Sequence, residues 1–358
     1  MKNKPLTING KTLSPKEILE LGRRIILDPT QPGWKHDIWE FILDWMDNSG
    51  TMQITTSGTT GSPKALSLKK EMMLQSARKT LDFFDLKEGD TALLCLSPQY
   101  IAGKMMIVRA FVGGLNLIIQ EPSSDPWKDI TDDIDFIPVV PLQLQKLLNK
   151  PEKQKQIKTI LVGGAPIDYK LERKLQNIAP VVFHSYGMTE TITHVALRRV
   201  NGEEPSDFYR ALDGVNFSVD EEQRLIVDVD FLDRPVQTSD VVNLLDEKRF
   251  IWHGRADSVI NTGGIKVFPE EVEKKLSKLI YRRFFIAGIS DEKLGEKIVL
   301  IIEGSPMEES CLDALKNRIA LAVEKYEAPK EIFFYDDFPE TGTGKIKRKE
   351  VMQKLFIS

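Results

Sequence analysis

Between Met52 and His184 the chain alternates short apolar runs with amphipathic stretches. The runs at 92–96, 115–119, 136–140, 159–162 and 181–184 read as strands. Between them, Met73, Ala77, Leu81 and Phe84 share one helical face, and a second helical stretch runs over 168–178. This alternation predicts an α/β domain on a largely parallel sheet. From Asn216 to Trp252 the pattern changes, and strand-like runs at 225–229 and 241–245, separated by charged turns, predict a more antiparallel piece. After Gly254-Arg255 it changes again. Phe268-Pro269-Glu270-Glu271 predicts a helix start, with proline at the first position and acids in the first turn. Strands at 284–289 and 297–303 and a helix over 308–326 complete an α+β unit. The pattern predicts a large N-terminal α/β domain, residues 1–255, and a small C-terminal α+β domain, residues 256–358, joined near Asp257.

Composition narrows the class. With 358 residues the chain can hold two domains, and 41% apolar with 28% charged residues is ordinary for a soluble globular protein. A net charge of −4 gives no global positive field, which argues against nucleic acid or an anionic membrane as main partner. No apolar run approaches the ~20 residues that span a bilayer, and the opening residues carry no apolar signal segment. Cys95 and Cys311 stand far apart, and four scattered histidines show no metal-binding spacing. A reducing, cytoplasmic setting is the expectation.

The chemistry begins at Thr55-Thr56-Ser57-Gly58-Thr59-Thr60-Gly61-Ser62-Pro63-Lys64, after a strand-like stretch. Glycines let backbone N–H groups turn toward an anion, hydroxyls donate hydrogen bonds, and the lysine supplies a point charge. It is not a Walker A loop, because Pro63 stands where that pattern needs glycine. Further on come Gly163-Gly164-Ala165-Pro166 and Ser185-Tyr186-Gly187-Met188-Thr189-Glu190-Thr191, each after a strand-like run. Thr238-Ser239-Asp240, Gly254-Arg255-Ala256-Asp257, the segment from Gly263-Gly264 to Glu273, and Pro339-Glu340-Thr341-Gly342-Thr343-Gly344-Lys345 follow.

In this order the segments resemble the motifs of the adenylate-forming superfamily of acyl-CoA synthetases, luciferases and peptide adenylation domains. The resemblance runs from about Thr51 to Arg348. It implies ATP, Mg²⁺ and coenzyme A as the small molecules bound. Thr56, Ser57, Gly58, Thr59, Thr60, Gly61 and Lys64 would grip phosphates. Gly164, Ala165 and Pro166 would border adenine, with Ser185, Tyr186 and Gly187 beside them and the Tyr186 ring stacked on the base. Thr189 would contact phosphate and Glu190 would hold the metal; with Lys345 these are the implied catalytic residues. Asp240 and Arg255 would bind ribose, Asp257 would be the hinge of a mobile C-terminal domain, and Gly263 and Gly264 would border the coenzyme A tunnel. One departure is Ser239, where the family has a permissive glycine.

The phosphate loop begins at residue 55, which implies an N-terminal part shortened relative to the family. That compactness, with the run over 185–198, resembles the short o-succinylbenzoate–CoA ligases of menaquinone synthesis. Tyr100 stands where those enzymes place a histidine before the acyl-pocket helix. Their acid has two carboxylates, so one must be held unreacted; Lys104, Arg109, His194 and Arg198 are the candidate donors. Another aryl- or acyl-CoA ligase, a stand-alone adenylation domain loading a carrier protein, and a non-catalytic nucleotide-binding protein are the alternatives. A homo-oligomer stays open, since a shortened N-terminal part could leave apolar surface for a partner.

Overall fold

The computed structural model describes residues 4–55, 65–340 and 346–356. The chain opens with a hairpin of β1 (Leu6–Ile8) and β2 (Lys11–Leu13), then α1 (Pro15–Leu27) and α2 (Gly33–Met46). Next come β3 (Thr51–Thr55), β4 (Ala65–Lys69), α3 (Lys70–Phe83), β5 (Thr91–Leu94), α4 (Ile101–Gly113), β6 (Asn116–Ile119) and β7 (Ile134–Val139). Then follow α5 (Pro141–Leu147), α6 (Pro151–Gln154), β8 (Ile157–Val162), α7 (Tyr169–Leu175), β9 (Val181–Gly187), β10 (His194–Arg199) and β11 (Tyr209–Ala211).

The remainder runs through β12 (Val215–Val219), β13 (Arg224–Val229), β14 (Val236–Asp246), β15 (Arg249–Arg255), β16 (Ile260–Thr262), β17 (Ile265–Val267) and α8 (Pro269–Leu276). It ends with β18 (Phe284–Asp291), β19 (Gly295–Glu303), α9 (Glu309–Ala322), β20 (Glu331–Tyr335) and α10 (Arg348–Phe356). By compactness the chain forms two units. The first comprises Met1–Gly164, Lys174–Asn216 and Val227–Val236; the second comprises Ala165–Arg173, Phe217–Ile226 and Gln237–Ser358.

In the first unit the strands run in the order β11-β10-β9-β8-β7-β5-β6-β1-β2. The pairs β9–β8, β8–β7, β7–β5, β5–β6 and β6–β1 are parallel, so the largely parallel sheet expected from the alternation is present. Connections that pass through helices allow this arrangement, because a parallel return needs a chain long enough to recross the sheet. Strands β5, β7 and β8 are buried on both faces, with Leu93, Phe136, Ile137 and Ile160 at 0% exposure. The helix foreseen on the Met73, Ala77 and Leu81 face is α3, and those three side chains are buried.

In the second unit β14 and β15 pair antiparallel, as the charged turns predict. Its smaller sheet has the order β17-β16-β19-β18, with β20 parallel to β19. Strand β19 is apolar on both sides. Ile298, Leu300 and Ile302 join one core with Val272 and Leu276 of α8, while Val299 and Ile301 join another with Phe285 and Val351.

Candidate active site

Parallel neighbours β8 and β9 carry two of the singled-out motifs at their carboxyl ends, the edge where open α/β sheets hold ligands. Gly163 and Gly164 follow β8, and Gly164 takes φ +81°, which a side chain would resist. The Ser185 hydroxyl donates to the Val162 carbonyl at 2.9 Å and so fastens the second motif to the strand before the glycines. A Cβ on Gly163 would come within 2.9 Å of that hydroxyl oxygen, which accounts for a glycine there.

The motif then turns sharply. A Cβ on Gly187 would lie 2.2 Å from the Thr193 carbonyl oxygen and 2.4 Å from the His194 Cα, so only glycine allows β9 and β10 to approach this closely. Thr189–Thr191 forms one 3₁₀ turn. The fully buried Thr191 hydroxyl accepts the Met188 N–H at 3.0 Å and lies 2.8 Å from the Thr193 carbonyl. Ile192 sits at φ +69°, ψ −61°, spanned by the Thr193 N–H to Thr191 carbonyl bond at 2.8 Å. This is the strained form of the three-residue γ-turn, costly for a β-branched residue and held here by an Ile192 side chain at 1% exposure.

Around the Tyr186 ring, Tyr209 lies at a centroid distance of 5.8 Å, and its hydroxyl is 2.8 Å from His184 Nδ1. Glu190 is exposed and Thr189 half-buried. Among the described residues no group of three or more His, Cys, Asp or Glu side chains could hold a metal ion. One exposed carboxylate nevertheless fits magnesium, which keeps waters and binds through one or two carboxylates plus substrate phosphates.

Behind this turn lies a buried polar chain. Ser76 Oγ is 2.9 Å from Thr193 Oγ1; Thr80 Oγ1 donates to the Ser76 carbonyl at 3.1 Å and lies 3.2 Å from His194 Nε2. His194 holds its pKa well below the ordinary value, because burial disfavours its charge and the Arg109 guanidinium repels it. Arg109, on α4, is 2% exposed, and its Nε finds no hydrogen-bond partner among the described residues. Burial pulls the guanidinium down to about 9, which still leaves it charged at neutral pH. Of the four candidate donors, Arg109 and His194 are both buried, and the Arg109 charge is one cause of the lowered His194 pKa. Arg198 is buried and donates to the Ser206 carbonyl at 3.3 Å. Lys104 lies 4.9 Å above the Phe41 ring, its pKa lowered by burial against the opposing Asp44 and Asp37. Tyr100 precedes α4 and is 46% exposed. Ser76 and Thr80 escaped the sequence reading; the available signal was two hydroxyls on the buried face of α3.

In the second unit, Asp240 is buried on β14 and faces Arg255 of β15 in register. Its Oδ1 accepts the Trp252 indole N–H at 3.0 Å. Ser239 lies inside that extended strand, so serine serves where a turn would have demanded glycine. The Arg255 fork reaches both Asp257 oxygens at 2.9 Å and holds that carboxyl below its ordinary pKa. Gly263 (φ +60°) and Gly264 (φ +84°) are the two-residue turn between β16 and β17, the geometry that suits strand twist in a tight hairpin. Thr56, Ser57, Gly58, Thr59, Thr60, Gly61, Lys64 and Lys345 lie outside the described residues. A cavity of about 940 Å³ lined by Trp34, Trp39, Leu13 and Ile25 shares no residue with any of these motifs.

Known proteins add to this picture. A probable 2-succinylbenzoate–CoA ligase of Mycobacterium tuberculosis is 27% identical over 346 residues, covering 88% of this chain and 87% of the relative. The 2-succinylbenzoate–CoA ligase of Lactococcus lactis is 23% identical over 330 residues, covering 86% and 72%. An acyl-CoA synthetase (AMP-forming)/AMP-acid ligase II-like protein of Dyadobacter fermentans superposes with a TM-score of 0.62 at 34% identity, covering 94% of this chain and 98% of its own. The o-succinylbenzoate coenzyme A synthetase of Bacillus subtilis, solved with its acyl-adenylate intermediate, gives 0.75 at 17% identity over 98% and 95%, a likeness of fold. Residues 47–230, more than half of the chain, match the family described as AMP-binding enzyme, and to that family the chain belongs.

Proposed function

We propose that this protein is an AMP-forming acid–coenzyme A ligase whose acid is a dicarboxylate of the o-succinylbenzoate type. The observation that carries the substrate is Arg109. A buried guanidinium whose Nε has no partner among the described residues, and whose charge is not met by a His194 that burial keeps neutral, is costly unless an anion completes it. A second, unreacted carboxylate is such an anion, and a fork of N–H donors suits it. Relatives named as 2-succinylbenzoate–CoA ligases support the same reading.

The chemistry must overcome repulsion between two anions. A carboxylate oxygen attacks the α-phosphorus of ATP, the bond to the β-phosphate breaks, and pyrophosphate leaves; the product is acyl-AMP. The segment 56–64 would hold the leaving group, while Thr189 and Lys345 would meet the charge on the α-phosphate and the incoming carboxylate. Tyr186, Gly164, Ala165 and Pro166 would hold adenine, and Asp240 with Arg255 the ribose. Glu190 would hold magnesium, which when bound neutralises phosphate charge. In the second half-reaction the coenzyme A sulfur attacks the acyl carbon and AMP departs. On this reading residues 1–255 and 256–358 are the functional domains, Asp257 carries the hinge, and Gly263 and Gly264 border the incoming thiol.

The test is thioester formation with MgATP, coenzyme A and a panel of o-succinylbenzoate, benzoate and short fatty acids, with pyrophosphate followed in parallel. Selective thioester from o-succinylbenzoate is expected. Pyrophosphate without thioester would overturn coenzyme A as acceptor in favour of another thiol, and equal use of monoacids would overturn the dicarboxylate.

A further inference from the structure

The turn that carries Thr189 and Glu190 is closed by a third side chain, that of Thr191. It is at 0% exposure, and its hydroxyl stands between the two ends of the turn. At the entry the Met188 N–H donates to the hydroxyl oxygen at 3.0 Å, and the direction is fixed because an amide nitrogen only donates. The single hydroxyl proton faces two carbonyls, Met188 at 3.0 Å and Thr193 at 2.8 Å, and carbonyls only accept. One hydroxyl thus joins a residue before the turn to one after it. The backbone repeats the closure, with the Thr191 N–H on the Met188 carbonyl at 3.2 Å and the Ile192 N–H on the Thr189 carbonyl at 3.0 Å.

This closure works against strain. Ile192, at φ +69°, holds a conformation that β-branched residues avoid, and it would return to ordinary backbone angles if the exit of the turn came loose. Just beyond, the Thr193 hydroxyl lies 2.9 Å from that of Ser76 on α3, which fixes the far side. Loss of the Thr191 hydroxyl would strip the Met188 N–H of its acceptor where water does not reach, and would free the strained end.

We propose that Thr191 is a positioning residue for adenylation: by tying Met188 to Thr193 it holds the short turn that presents Glu190 to magnesium and Thr189 to phosphate. This rests on the roles of Glu190 and Thr189 proposed above. Thr191 is fully buried and touches neither metal nor nucleotide; it acts through the two residues before it. Attack of the thiol on acyl-AMP involves neither pyrophosphate nor the metal on it, so the effect falls on the first half-reaction.

The experiment compares Thr191→Val, Thr191→Ser and Glu190→Gln with the parent protein. It measures binding of a non-hydrolysable ATP analogue, with magnesium and with a chelator, and follows the two half-reactions separately. Thr191→Val keeps the shape of threonine and loses the hydroxyl. It is expected to weaken magnesium-dependent binding, and to raise the magnesium concentration for half-maximal acyl-AMP formation, about fivefold to tenfold. Binding without magnesium and thioester formation from supplied acyl-AMP should stay within about twofold, a split that general loss of folded protein would not produce. Thr191→Ser, which keeps the hydroxyl, should restore the parent behaviour. Amide hydrogen exchange on the parent needs no variant: the Met188 N–H should be strongly protected. A Thr191→Val protein indistinguishable from the parent, or one that loses both half-reactions equally, would overturn the proposal. So would a serine variant as impaired as the valine, or a Met188 amide that exchanges as fast as an exposed one. If Glu190→Gln leaves the magnesium dependence unchanged, the reading of Glu190 falls and the proposal with it. If Glu190→Gln changes it and Thr191→Val does not, only the role of Thr191 falls.

Discussion

Single residues carry most of what is unusual here, and His194 shows how burial reads out as pH dependence. Its folded pKa lies well below its unfolded value of about 6.5. Below that pH the unfolded chain takes up a proton that the folded protein refuses, so stability rises with pH there. The contribution is complete above about pH 6.5 and is lost as pH falls toward the folded pKa, with a slope of at most about 1.4 kcal/mol per pH unit. Denaturant titrations between about pH 5 and 8 should show this decline, and His194→Asn should flatten it. At this scale the sequence was legible where chemistry is written in residue type. Gly187 belongs to the motif, and the clash of a Cβ with the Thr193 carbonyl gives its reason. Ser76 and Thr80 were not legible, because a hydroxyl inside an apolar helical face looks the same whether it bonds its own helix or a partner far along the chain. The left-handed Ile192 was not legible either, since nothing in the propensity of isoleucine announces a γ-turn.

Among elements, amphipathic ones were readable and uniformly buried ones were not. Helix α3 announced itself through its apolar face, and α8 through Pro269 at its start and two acids in its first turn. Helix α4 gave no such signal. Eight of its residues, from Gly103 to Phe111, are buried, so no polar face sets a period against which to read it. Helices α1 and α2 went unread with the N-terminal hairpin, although α1 carries a strong local start signal. Ser14 and Glu17 form a reciprocal cap, Ser14 N–H donating to Glu17 Oε2 at 2.8 Å and Glu17 N–H to the Ser14 hydroxyl at 3.4 Å, followed by Pro15. Replacing Ser14 by alanine should cost about 1 kcal/mol in equilibrium unfolding, within the usual range for a lost N-cap. Because these bonds are exposed and far from the motifs in sequence, turnover per folded molecule should not change.

For the whole molecule, the proposed reaction makes opposite demands at its two stages. On that proposal Lys345 would be required while acyl-AMP forms and unnecessary once the thiol attacks. Lys345→Ala should therefore cut ATP–pyrophosphate exchange by orders of magnitude, as loss of charge stabilisation at the reacting phosphate does. The same variant should keep most of its ability to convert supplied acyl-AMP and coenzyme A into thioester. Equal loss in both half-reactions would count against a two-stage use of one site. The large-scale pattern, α/β followed by an antiparallel piece and an α+β unit, was visible in the period of the apolar positions. How sharply the units divide was not, since residues 165–173 and 217–226 belong to the second unit while their neighbours belong to the first.

The burial of Arg109 also bears on how such a protein can change over generations. A surface lysine that recognises an anion can be lost or gained with little consequence for folding. A guanidinium at 2% exposure is different: on the proposed reading, a lineage that abandons diacids would inherit a charge that no longer meets a counterpart. Its first viable step toward a monoacid would be at residue 109 itself, toward an apolar side chain of similar volume, and only afterwards at the walls that touch the substrate. The order of substitutions is thus constrained by electrostatics before it is constrained by shape.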